Sequence, residues 1–295
     1  MNGQLVGSHK GGYNSFSFDV TDYLTAGENI LTLVVRDGTE KTSHARGKQR
    51  IERPKLMSSL FYTCLSGIWK TGWMESVAEE YIENVKITPM FDEKSVELFI
   101  KTKGDCKKAT VQILDESRVV KEQVIDVNQK VQIQLGDFKA WTPDTPHLYD
   151  VKIIYNKDKV SSYFGMRKFH VEKDKKGILR FFMNNKPFFF NGILDQGYWP
   201  ESLLTPPTDE ALKYDIEKLK ELGFNTIRKH IKVEPEQFYY DCDRLGMIVF
   251  QDMINSGRYS FFIDTALPTV FLRKGVSHRA SKLRREAFDK TCEGI

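Results

Sequence analysis

The feature that most constrains this sequence is a change of hydrophobic period near Gly165. Upstream, Glu83 to Thr88, Ser95 to Ile100, Thr110 to Leu114 and Val131 to Leu135 alternate polar and apolar residues, with Gly, Asp and Asn turns between them. Alternation with period two puts one face of each segment on a core and the other in water, and short strands recurring in this way predict a β-sandwich. Trp141 to Pro143 and Pro146 to Tyr149 lead into one more strand, Val151 to Tyr155.

Downstream the pattern differs. Phe188 to Ile193 is a continuous apolar run, as expected of a strand covered on both faces. Asp209 to Leu222 places Ala211, Leu212, Ile216, Leu219 and Leu222 at helical spacing, with Thr208 as N-cap and Gly223 as the stop. Phe224 to Arg228 predicts the next strand, Glu234 to Leu245 a second helix and Met247 to Asp252 a third strand. Strand and helix in strict alternation imply parallel βαβ units joined by right-handed crossovers. Arg279 to Ile295 is helix-like and basic. The residues after Gly177 are fewer than half of the about 250 that a closed (β/α)8 barrel requires, so the expectation is an incomplete barrel. Its uncovered strand edges predict poor independent folding and self-association.

The first residues carry turn chemistry at Gly11-Gly12 and Ala26 to Asn29, with Ser15 to Val20 and Ile30 to Val35 as strands between and after these turns. Asp37 to Pro54 is polar and basic and predicts a surface loop.

Composition narrows the function. A length of 295 residues suits two or three domains, and 40% hydrophobic with 28% charged residues supplies ordinary cores. The net charge of +4, from 44 basic and 40 acidic residues, is too small to argue for nucleic acid or an anionic membrane. No apolar run has membrane-spanning length, and the opening residues, Met1 to Tyr13, lack a secretory h-region, which favours a cytoplasmic setting. Cys64, Cys106, Cys242 and Cys292 form no Cys-x-x-Cys pair and have no histidine at ligand spacing. Isolated reduced thiols, with no metal and no cofactor, are expected.

Four segments carry a family resemblance. Asn2 to Tyr13 with Phe16 to Thr21, Ser66 to Glu75, Phe164 to Arg167 and Asp241 to Met247 resemble, in order, parts of family 2 glycoside hydrolases, the group of β-galactosidases and β-glucuronidases. The resemblance implies a partial jelly-roll sugar-binding domain over 1–79, an immunoglobulin-like β-sandwich over 80–172 and the first three units of a TIM barrel over 173–295. It also implies a retaining mechanism, in which two carboxyl groups about 5 Å apart act as acid/base and nucleophile. Neither family glutamate has a counterpart here. Glu293 follows Cys292 in a helical context rather than an asparagine at a strand end. The 295 residues are therefore expected to be inert by themselves, as part of a hydrolase or as the product of a partial gene.

Candidate substrate residues lie at the strand ends, where such a barrel gathers its site. Asp195 can accept bonds from a sugar hydroxyl or be a solvated loop carboxylate, and Trp199 can face a sugar ring or pack into the barrel top. Arg228 resembles the family arginine that keeps the nucleophile ionised, and can equally serve a structural ion pair. His230 is adjacent but out of register with the family histidine. Asp252 can orient Arg228, bind sugar or brace its loop. Trp69 and Trp73 are expected as core anchors, and the basic set Arg273, Lys274, Arg279, Lys282, Arg284 and Arg285 as an exposed helix face. A carbohydrate is the implied partner; the alternative function is a carbohydrate-binding module without catalysis.

Overall fold

The computed structural model describes residues 1–38, 44–49 and 61–254, with 270, 286, 288, 289 and 292 beyond them. The basic set from Arg273 to Arg285, Glu293 and most of the expected C-terminal helix lie outside the described residues, as does part of the Asp37 to Pro54 loop. The architecture is mostly β-sheet with few helices.

Seven strands form two sheets with a shared core. They are β1 (Tyr81–Met90), β2 (Ser95–Lys103), β3 (Lys108–Asp115), β4 (Arg118–Asp126), β5 (Lys130–Gln134), β6 (Tyr149–Tyr155) and β7 (Asp158–Phe164). One sheet has the order β1-β2-β5, the other β4-β3-β6-β7, with antiparallel pairing throughout. Alternation does what the sequence demands: Tyr149, Val151, Ile153 and Tyr155 of β6 are buried, while Asp150 and Lys152 face water. They meet Val96, Leu98 and Ile100 of β2 and Val111 and Ile113 of β3 in one cluster. Strands β4 and β7 carry no clear signal in the sequence pattern. Both are edge strands with one inner neighbour, and β4 buries only Ile125, so it lacks the apolar alternation that marks the inner strands.

A three-stranded antiparallel meander follows: β8 (Phe169–Lys173), β9 (Leu179–Met183) and β10 (Lys186–Pro187). Next comes the βαβαβ unit, comprising β11 (Gly192–Asp195), α1 (Asp209–Glu221), β12 (Thr226–Lys229), α2 (Glu236–Leu245) and β13 (Ile248–Gln251). Its strands are parallel in the order β11-β12-β13. Thr208 caps α1, its side chain accepting from the Ala211 amide, and Gly223 follows the last turn at φ 87°. Helix α2 starts at Glu236 rather than Glu234, because Pro235 is held extended at ψ 151°. Leu212, Ile216, Phe238 and Cys242 from the helices pack on Ile227.

Trp141 joins the sandwich to this unit. It is fully buried, its Nε1 donates to the Asp243 carbonyl at 2.7 Å, and the Arg167 guanidinium stacks 4.5 Å from its ring. Arg167 also pairs with Asp243 at 2.5 Å. Two glycines make room: a Cβ on Gly165 would crowd Trp141, and one on Gly246 would fall 2.2 Å from the Pro143 carbonyl oxygen. Two of the four family-like segments, Phe164 to Arg167 and Asp241 to Met247, thus meet at one joint.

Three expectations fail. Ser15 to Val20 and Ile30 to Val35 form no ladder, and Leu31, Leu33 and Val34 stand exposed. A strand exists only where a neighbour supplies a run of hydrogen bonds, and among the described residues these two segments have no ladder, Ile30 meeting Asn2 alone through its backbone; the regular element within residues 1–38 is a 3-10 turn at Thr21–Tyr23. The first parallel strand begins at Gly192, four residues later than expected, with Phe189 exposed and Ile193 and Leu194 half-exposed, so it is not covered on both faces. Trp69 is a buried anchor as expected, whereas Trp73 is exposed. No helix among the described residues is long and apolar enough to cross a membrane.

Candidate functional site

The parallel register brings the strand ends level. Asp195, Lys229 and Gln251 are neighbours across the sheet, with Leu194, Arg228 and Phe250 one step behind. Successive side chains on a strand point to opposite faces. Ile227 packs on the helices and Lys229 lies 4.3 Å from the Phe238 ring, so Arg228 and His230 take the other face.

On that face three predicted residues come together. Arg228 Nε lies 3.1 Å from both carboxylate oxygens of Asp252, and its terminal nitrogen approaches to 2.9 Å. His230 Nδ1 is 2.8 Å from Asp252 Oδ2. Burial pushes the Asp252 pKa up, but the bonds from Arg228 and His230 outweigh it and hold the carboxyl below its usual range. An ionised Asp252 can only accept, so His230 donates to it from Nδ1. Arg228 remains more than half exposed, with its charge secured by the Asp252 bonds. The arrangement presents a fixed, more than half-exposed guanidinium beside a partly buried imidazole, and the guanidinium is suited to hold an anionic or hydroxyl oxygen.

Asp195 and Trp199 belong to a second cluster, on the helix side. Both Asp195 oxygens are engaged: Oδ1 accepts from the Gly197 amide at 2.7 Å and Oδ2 meets Lys229 Nζ at 2.5 Å. Asp195 thus pairs with a buried lysine while its side chain stays about a third exposed. Trp199 is partly buried against the helix core and bonds through its backbone to Leu203. With Tyr62, Asp195, Gln196 and Asp215 it lines a cavity of about 470 Å³. Trp199 Nε1 and Gln196 Oε1 are buried without a hydrogen-bond partner among the described residues, one a donor and the other an acceptor. Burial and the nearby Asp195 charge raise the Asp215 pKa.

Three further residues, outside the candidates named from the sequence, connect the clusters. Lys229, Lys232 and Glu234 are essentially inaccessible, and each lysine ammonium lies 2.8 Å from a Glu234 oxygen. Burial lowers the Lys229 pKa, but Glu234 and Asp195 outweigh it and leave it raised. Burial dominates at Lys232, whose pKa falls to about 8. The signal was present in Lys229-His230-Ile231-Lys232-Val233-Glu234: charges alternating with apolar residues where a strand hands over to a helix.

The N-terminal residues close over these loops. Tyr62 stacks on Tyr198 at 3.9 Å, and Thr205 donates to the Trp69 carbonyl at 2.8 Å. Elsewhere, Asp115, Glu116 and His147 converge within 4.8 Å, and Lys139 supplies the cation, 3.0 Å from Asp115 and 3.4 Å from Glu116.

Residues 80–167 match the family model for glycosyl hydrolases family 2. The chain is similar to a β-galactosidase of Thermoanaerobacter pseudethanolicus, 26% identical over 273 residues, covering 86% of this chain and 35% of that protein. A putative β-glucuronidase of Formosa agariphila is 24% identical over 278 residues, covering 86% and 24%. Among solved structures, apo β-glucuronidase 3 of Bacteroides uniformis aligns with TM-score 0.53 at 22% identity, over 60% of this chain and 23% of that one. The Bifidobacterium dentium β-glucuronidase complexed with coumarin-3-O-glucuronide aligns with TM-score 0.52 at 22% identity, over 60% and 31%. The chain spans about a quarter to a third of the length of these curated relatives.

Proposed function

We propose that this chain, a relative of the family 2 glycosyl hydrolases, contributes the substrate-holding wall of a retaining β-glycosidase acting on β-galactoside- or β-glucuronide-like substrates. Residues 1–79 belong to a jelly-roll sugar-binding domain, 80–172 to an immunoglobulin-like sandwich and 173–295 to the first three units of a TIM barrel. The parallel order β11-β12-β13 and the two crossover helices support the barrel assignment, and the two facing antiparallel sheets support the sandwich.

The observation that carries this reading is the Arg228–Asp252–His230 cluster at the carboxyl ends of parallel strands, where barrel enzymes collect their chemistry. Acetal hydrolysis by retention uses one carboxylic acid to protonate the leaving oxygen and one carboxylate to attack the anomeric carbon. In this scheme Arg228 keeps a carboxylate ionised beside the sugar, Asp252 fixes Arg228 and His230, and His230 Nε2 accepts from a sugar hydroxyl. Trp199 and Gln196 offer one donor and one acceptor from the β11 loop, with Asp195 holding that loop. The two reactive glutamates are not supplied by these 295 residues, which therefore bind without turning over.

Calorimetric titration of the 295-residue chain with galactose and with glucuronate tests the reading. Heat at millimolar sugar that disappears in Arg228→Ala is the expected result. No heat with either sugar, or equal heat in the variant, contradicts the assignment of this surface.

A further inference from the structure

Between His230 and Lys232 the backbone passes through Ile231 at φ 47°. A β-branched residue in the left-handed region is an outlier, because its Cβ crowds the following carbonyl. Such a conformation persists only where the surroundings over-determine it. Here the surroundings are charged. On one side of Ile231, Lys229 Nζ donates to Glu234 Oε1 at 2.8 Å and to Asp195 Oδ2 at 2.5 Å. On the other, Lys232 Nζ donates to the Gly197 and Leu204 carbonyls and makes an ion-pair contact of 2.8 Å with Glu234 Oε2. One glutamate thus grips both flanks of the strained residue. The backbone is shaped to allow it: a Cβ on Gly197 would fall 2.1 Å from Glu234 Oε1, and one on Gly47 would fall 2.8 Å from the Ile231 carbonyl oxygen.

Stability alone does not account for such an arrangement. Buried charges lose their hydration, and apolar side chains of similar volume often hold a core as well or better. Paired charges supply direction, which apolar packing does not. The geometry points to a positioning role for the Lys229–Glu234–Lys232 network: it holds Ile231 left-handed and thereby aims His230 Nδ1 at Asp252 on the opposite face of β12. This inference concerns how the cluster is built and stands whether or not the cluster meets a glycoside.

The test uses the full 295-residue chain with ¹⁵N-labelled imidazoles, the His230 signals being identified by their loss in His230→Gln. The native chain is expected to show the well-separated nitrogen resonances of a ring protonated on Nδ1. In Glu234→Gln the two resonances move toward the averaged position of an unconstrained ring, as they do in Asp252→Asn. Adding Ile231→Gly to Glu234→Gln restores the separation, since glycine adopts this φ without a Cβ clash. Unchanged resonances in a folded Glu234→Gln chain, or no recovery with Ile231→Gly, overturn the proposal. If Glu234→Gln does not fold, Asp195→Asn, at the solvent-facing end of the network, replaces it with the same two expectations and the same two contradictions.

Discussion

At Asp252 a guanidinium and an imidazole share one carboxylate, and the direction of its pKa shift sets a pH dependence. Its folded pKa lies below the unfolded value of about 3.9, so its contribution to stability is complete above that value and is lost as pH falls through the folded pKa. The acid unfolding of Asp252→Asn, followed by circular dichroism, is expected to show a shallower loss between pH 5 and pH 2 than the native chain, in the range this linkage predicts. An identical acid limb would separate Asp252 from that loss. Lys232 works in the opposite range. Its pKa is depressed from 10.5 to about 8 by burial, so the unfolded chain holds the proton more tightly and the stabilising contribution is lost as pH falls through about 8. The denaturation midpoint of the native chain, relative to Lys232→Met, should therefore rise between pH 7 and pH 9.5; a constant difference would contradict this. Arg228, His230 and Asp252 could be placed at strand ends from the hydrophobic period, and Arg228 and His230 were singled out there by the family resemblance. The pairing of Asp195 with Lys229 was not, since Lys229 shows its direction only once β12 is placed on its helices.

At the level of elements, the two helices and three parallel strands fall within a few residues of their expected places, because caps and periodicity are local signals. Thr208→Ala removes the acceptor for the Ala211 amide and should cost about 1 kcal/mol, read from denaturant titration. Gly246 is a stricter case. It lies at φ 78° with the Pro143 carbonyl 2.2 Å from the position of a Cβ, so Gly246→Ala should destabilise by more than about 1 kcal/mol and loosen the joint at Trp141. An alanine as stable as glycine would mean that the joint yields freely. Ser15 to Val20 and Ile30 to Val35 show the limit of periodicity: it marks which residues can line a sheet, while ladder formation depends on a neighbour elsewhere in the chain.

Over the whole molecule, the sandwich, the meander and the parallel unit meet around Trp141 and Ile248, while the N-terminal residues reach the strand-end loops through Tyr13, Trp69 and Leu204. The surface so formed carries Arg228, His230 and Asp252 outward, and on the helix side it buries the charge network behind them. On the function proposed above, these 295 residues hold a sugar without supplying the two carboxyl groups that cleave it. Incubating the purified chain with nitrophenyl β-galactoside and nitrophenyl β-glucuronide tests this most directly. Release of nitrophenol indistinguishable from a mock purification is the predicted result; turnover above that background, abolished by a single carboxylate substitution within the chain, would contradict it.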